Sequence, residues 1–107
     1  MAVVDKPWDG SASRWPDTDA YCASCLIDTN PPGKPKIQAN CKLPIKEPGG
    51  DINKNALGAA AAALAGARGG IKGVSPADKA KAARALIRAY NEAKMDVPDS
   101  LRRMAGS

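Results

Sequence analysis

Asn53-Lys-Asn-Ala-Leu-Gly-Ala-Ala-Ala-Ala-Ala-Leu-Ala-Gly-Ala-Arg-Gly-Gly70 and, after a short interval, Ser75-Pro-Ala-Asp-Lys-Ala-Lys-Ala-Ala-Arg-Ala-Leu-Ile-Arg-Ala-Tyr90 hold most of the alanine in the chain. Alanine is the best helix former because it loses no side-chain entropy, and its short side chain lets two backbones approach closely. The two runs are therefore expected to form an antiparallel helical hairpin. In the first, Asn53 or Asn55 can cap free backbone amides, and Leu57, Ala61 and Leu64 recur at helical spacing. Gly58, Ala62 and Gly66 form a second stripe four apart, expected to mark where the next helix or another subunit packs closely. Gly69-Gly70 is expected to end the helix through a left-handed cap. Arg68-Gly69-Gly70 occurs once only, and a cap explains it better than a nucleic-acid element.

The second helix carries the sharpest local signal. Ser75 caps, Pro76 takes the first helical position and Asp78 stands three residues after the cap. Ala83, Leu86, Ile87 and Tyr90 are expected inside, while Lys81, Arg84 and Arg88 share another face. Beyond it, Asp96-Val-Pro-Asp99 opens a short terminal helix anchored by Leu101 and Met104.

The first half reads differently. Met1 to Arg14 is expected as an extended arm, because Lys6-Pro-Trp-Asp-Gly-Ser-Ala-Ser13 has no apolar period and holds a Pro and an Asp-Gly turn. Trp8 in that arm calls for an apolar recess, on its own domain or on a neighbour. Trp15 to Cys25 is expected to contain a short helix started by Pro16 and Asp17. Leu26-Ile-Asp28 and Cys41-Lys-Leu-Pro-Ile45 can pair as a minimal β ribbon across the proline-rich Asn30 to Pro35. Lys46-Glu-Pro-Gly-Gly50 is then a turn or linker. The fold expected is mainly α, with residues 1–50 forming the arm, short helix and loops of one domain and residues 51–107 its helical part.

Composition bounds the function. Leu, Ile and Val total 16 of 107 residues and Phe is absent, so the core must be thin. A thin core suits a chain partly ordered by a partner or by self-association as well as it suits a self-sufficient globule. Residues 1–52 hold six Lys/Arg against seven Asp/Glu, and residues 53–107 hold ten against four. The net charge of +5 therefore comes from the helical half. A basic helical half is usually a solvated face, and otherwise fits a polyanionic partner.

No histidine occurs, which removes the commonest general base, and no phosphate-binding glycine loop or paired carboxylates stand out. No catalytic residue and no cofactor are expected. Cys22, Cys25 and Cys41 have half the spacing of a zinc site, with a carboxylate such as Asp28 or a water as the fourth ligand, or could form a redox pair. An odd number of cysteines and no apolar leader favour free thiols in a reducing cytosol. No run is long and apolar enough to span a bilayer.

Lys6-Pro-Trp-Asp-Gly-Ser-Ala-Ser-Arg14, Cys25-Leu-Ile-Asp28, Lys42-Leu-Pro-Ile-Lys-Glu-Pro48, Asn53-Lys-Asn-Ala56, Ala60 to Gly70 and the Lys79 to Tyr90 helix together resemble a small module of tailed phages and prophages. That module occurs alone or attached to head proteins and prohead proteases. The resemblance covers almost the whole chain and brings no catalytic or metal site with it. It implies a non-enzymatic virion protein, made in the host cytoplasm, that acts as decoration or minor head protein. Its partner would be the phage major capsid protein or further copies of itself. Trp8, Trp15, Lys81, Arg84 and Arg88 are the candidate partner-binding residues, with the Trp8 arm expected to reach a neighbouring subunit. The alternative is a small basic nucleic-acid-binding or packaging accessory protein, using Lys79, Lys81, Arg84, Arg88, Arg102 and Arg103 on phosphates.

Overall fold

The computed structural model describes residues 2–66, 71 and 73–106. The protein is mainly α with minimal β structure, and its contacts divide it into two units, residues 1–56 and residues 57–107. The division falls later than residue 50 because Ile52 and Asn53 pair with the start of the chain.

In the first unit, β1 (Val3–Val4) lies parallel to β4 (Ile52–Asn53), with Val3 opposite Ile52. The stretch expected as an extended arm thus begins as a strand on its own unit. Lys46 bridges Ile52 from the other side, and the turn between them is closed by a hydrogen bond from the Gly50 amide to the Glu47 carbonyl. Gly50 there has a φ of 101°, which favours a residue without Cβ. A 3₁₀ turn at Ala12–Arg14 leads to α1 (Thr18–Ala23), where the Asp17 carboxylate accepts from the Ala20 amide at 2.8 Å. The expected ribbon is present as β2 (Cys25–Asp28) antiparallel to β3 (Cys41–Pro44), with Cys25 opposite Pro44 and Asp28 opposite Cys41. Pro44 is tolerated because a two-stranded sheet consists only of edges. Leu43 takes a φ of 64°, a left-handed conformation rare for a leucine. Trp15, Cys22, Ile27, Cys41, Ile45 and Ile52 form the buried interior of this unit.

The second half begins in α2 (Lys54–Leu64), started where the Asn53 side-chain Oδ1 accepts from the Asn55 amide at 2.9 Å. Its buried stripe is Ala56, Leu57, Ala60, Ala61 and Leu64. The small-residue stripe is on the opposite side: Gly58, Ala62 and Gly66 are exposed, and a Cβ on Gly58 would meet nothing within 4 Å. The expectation that the next helix of the same chain packs along that stripe is therefore corrected, because the larger Leu57 and Leu64 take the inner face. The helix stops at Leu64, and Gly66 adopts a φ of 103°. The cap expected at Gly69-Gly70, like Arg68, lies outside the described residues.

α3 (Pro76–Glu92) is capped by Ser75, whose hydroxyl accepts from the Asp78 amide at 3.1 Å. It buries Ala80, Ala82, Ala83, Leu86, Ala89 and Tyr90, while Ile87 is only half-buried. A Schellman turn ends it: the Met95 amide donates to the Tyr90 carbonyl, and Lys94 occupies the left-handed position at φ 58°. α4 (Asp99–Ala105) folds back on α3 and inserts Leu101, which is 1% exposed. Among the described residues, no helix is long and apolar enough to cross a membrane.

Candidate functional site

The first unit is built around one carboxylate. Glu47 is 6% exposed although it opens a turn, and it accepts from Arg14 Nη2 at 2.8 Å, Lys6 Nζ at 3.2 Å and Asn53 Nδ2 at 3.3 Å. A buried carboxylate is costly unless its oxygens are filled, and here cations and an amide fill both. The Arg14 hydrogen bond, ahead of those from Asn53 and Lys6, holds its pKa below the usual value of 4.5 against the opposing effect of burial. Asn53, fully buried, serves two ends at once by donating to Glu47 and starting α2.

Arg14 also joins this carboxylate to the aromatic residues. Its guanidinium carbon lies 5.7 Å from the ring centroids of both Trp8 and Trp15, within cation–π range. The two indoles meet edge to face at 6.3 Å, and Trp15 meets Tyr21 the same way at 5.2 Å. Trp15 Nε1 donates to Ser24 Oγ at 3.0 Å. Asp9 holds the approach by accepting from the Ser11 amide and hydroxyl, while Arg14 donates to the Asp9 carbonyl. Gly10 packs closely under this indole, where a Cβ would sit 3.3 Å from Trp8 Nε1.

Two expectations about partner binding change. Trp15 is 5% exposed with its indole N–H satisfied, so it belongs to the interior and offers no surface to a partner. Trp8, half-buried against Trp15 and Arg14, is docked on its own unit rather than extended toward a neighbour. The recess that a lone tryptophan required is intramolecular.

Lys81, Arg84 and Arg88 are brought together on the exposed face of α3 as the helical period requires. Arg84 donates to the Ala105 carbonyl at 3.2 Å, satisfying one of the open carbonyls near the end of α4. These cations and the tryptophans belong to different units.

The cysteines also depart from expectation. Cys22 and Cys41 form a disulfide with Cα atoms 5.3 Å apart, and Cys25 alone is free. The expected set of three thiols is thereby corrected: β2 and β3 place Cys41 beside α1, so Cys22 pairs across the fold and not with Cys25 along the chain. The Cys25 thiol donates to the Tyr21 carbonyl and is pushed up to about 11 by burial. Asp28 lies against the disulfide and completes a Cys22, Asp28, Cys41 cluster with all ligand atoms within 4.8 Å of one another.

Sequence reasoning missed a further surface, the excursion between β2 and β3. Residues 31–39 are all exposed, and Ile37 is 59% exposed, the one large exposed apolar side chain among the described residues. Asn30 organises the base: its Oδ1 accepts from the Ile37 amide at 2.8 Å and Asn40 Nδ2 at 3.2 Å. Its own Nδ2 donates to Asp28 at 2.8 Å, and Lys36 pairs with the same carboxylate. Three prolines reduce the freedom of the segment further. The signal was present in Asn30-Pro-Pro-Gly-Lys-Pro, but nothing local distinguishes a braced loop from a loose one. An open cleft of about 410 Å³ lies beside Trp15 and Tyr21, lined also by Asp17, Thr18 and Gln38. No protein-family model, curated protein or solved structure matches this chain.

Proposed function

We propose that this chain is a non-enzymatic capsid-associated protein of a tailed phage, a decoration or minor head protein that docks onto coat subunits in the virion. The observation that carries the reading is where the residues of the resemblance meet. Lys6, Trp8, Gly10 and Arg14 from the first phrase, Glu47 from the third and Asn53 from the fourth converge on a single network around the buried Glu47 carboxylate. The phrases therefore specify a scaffold, as expected of a module whose likeness lies in its fold and not in a catalytic motif. In this reading α2 and α3 are the arms of an antiparallel hairpin forming the rigid body, and the contact surface is the braced loop around Ile37. Many identical contacts on a shell would add through avidity even where each is weak.

The test is co-sedimentation of the purified chain with assembled coat particles from its source. Binding is expected for the intact chain and loss for Ile37→Asp, whose side chain is exposed and whose exchange leaves the interior untouched. Absence of the wild-type chain from the pellet would overturn the reading. Deletion of the Trp8 segment is a poor test, because it removes part of the Glu47 network. The second reading, a packaging accessory on nucleic acid, is favoured by Lys81 and Arg88, which have no partner among the described residues. It predicts salt-sensitive duplex binding abolished by reversing charge at Lys81, Arg84 and Arg88.

A further inference from the structure

We propose that reduction of the Cys22–Cys41 disulfide converts its surroundings into a zinc site, with the Cys22 and Cys41 thiolates and the Asp28 carboxylate as ligands and a water in the fourth position. The inference stands on geometry and is independent of the virion reading. Both cysteines are 4% exposed and are placed by different elements, Cys22 by α1 and Cys41 by β3. Asp28 is the cross-strand partner of Cys41, so the pairing of β2 with β3 fixes the carboxylate beside the sulfurs. Ligand atoms in a tetrahedral site with zinc–sulfur bonds of about 2.3 Å and zinc–oxygen bonds of about 2.0 Å lie roughly 3.3–3.8 Å apart. The cluster, already within 4.8 Å, needs the sulfurs to separate and the carboxylate to close by about an ångström.

The surroundings fit a metal centre in two further ways. Asn30 Nδ2 lies 3.3 Å from Cys41 Sγ and donates to Asp28 as well, which is the kind of outer hydrogen bond that orients thiolate and carboxylate ligands. The Asp28 side chain is 28% exposed, leaving an entry path and room for the water. Lys36, now paired with Asp28, is the charge the metal would displace. Two thiolates favour zinc or cadmium over magnesium or calcium.

The chemistry balances as follows. An external dithiol attacks one sulfur of the disulfide, passes through a mixed disulfide and leaves as its own cyclic disulfide, so the dithiol is oxidised and Cys22 and Cys41 become thiols. Zinc then replaces the two thiol protons, which go to solvent. Cys25 takes no part: its thiol is turned to the Tyr21 carbonyl and lies outside the cluster.

The experiment is a zinc titration of the full chain, oxidised and after treatment with a dithiol that is then removed anaerobically. Heat and proton release are followed in weak buffer at neutral pH. The reduced chain is expected to bind one zinc with release of about two protons, and the oxidised chain none. Asp28→Asn should weaken binding at least about tenfold, Cys22→Ser should abolish it, and Cys25→Ser should leave it unchanged. Asp28→Asn keeps the size of the side chain and one acceptor oxygen for Asn30, and circular dichroism of the reduced chain and of the variant shows that the folded form is titrated. No zinc uptake by the reduced chain, uptake indifferent to Asp28→Asn, or loss of binding in Cys25→Ser would each overturn the proposal.

Discussion

Glu47 illustrates how a single side chain can set the acid limit of this fold. Its carboxyl is held below the ordinary value of 4.5 by Arg14 foremost, so the folded form binds a proton less readily than the unfolded chain does. The stabilisation is therefore complete above about pH 4.5 and is lost as pH falls through the lower, folded value. Glu47→Gln should cost about 2 kcal/mol near neutral pH, the scale of hydrogen bonds to a charged group. It should also flatten the acid limb of a stability-against-pH curve measured by chemical denaturation. Lys94 offers the opposite sign: at φ 58° its Cβ strains the turn after α3. Lys94→Gly should raise stability by about 1 kcal/mol, read as a higher melting temperature. Cys25, with its thiol at about 11, should react with iodoacetamide at pH 8 far more slowly in the native chain than in guanidinium.

At the scale of elements, legibility follows how local the cause is. Ser75-Pro76 opens α3 where expected because a cap needs only its own three amides, and Ser75→Ala should cost about 1 kcal/mol by thermal unfolding. Asp17 before α1 and the pairing of β2 with β3 were legible for the same reason. The side of α2 that turns inward was not. Gly58, Ala62 and Gly66 and the stripe through Leu57, Ala61 and Leu64 both have helical spacing, and the choice rests on which face has larger side chains to bury. The pairing of β1 with β4 is further from reach, since two valines at positions 3 and 4 signal nothing until Ile52 lies beside them. Glu47 read as a linker residue because its partners, Lys6 and Arg14, stand more than thirty positions away.

For the whole molecule, the disulfide makes the two units respond differently to reductant. It closes a sequence separation of 19 residues within the first unit only. A loop of that length removes unfolded-state entropy equivalent to about 3 kcal/mol. Hydrogen exchange with and without reductant should show faster exchange for amides of α1, β2 and β3 and little change in α3 and α4. The thin aliphatic content anticipated a small interior, but the odd cysteine count did not disclose which thiols would meet. That depended on β3 returning to α1 after the proline-rich excursion. The candidate surface was legible in part: Lys81, Arg84 and Arg88 share an exposed face as their spacing required, whereas Trp15 was claimed by the interior.

The parallel pairing of Val3 with Ile52 carries a consequence for biosynthesis. A ribosome making about 5–20 residues per second leaves β1 unmatched for several seconds before β4 emerges from the exit tunnel. For most of that interval both valines are bare and Glu47 has yet to be made, so assembly of the first unit must wait for the chain to loop back and lay β4 beside β1.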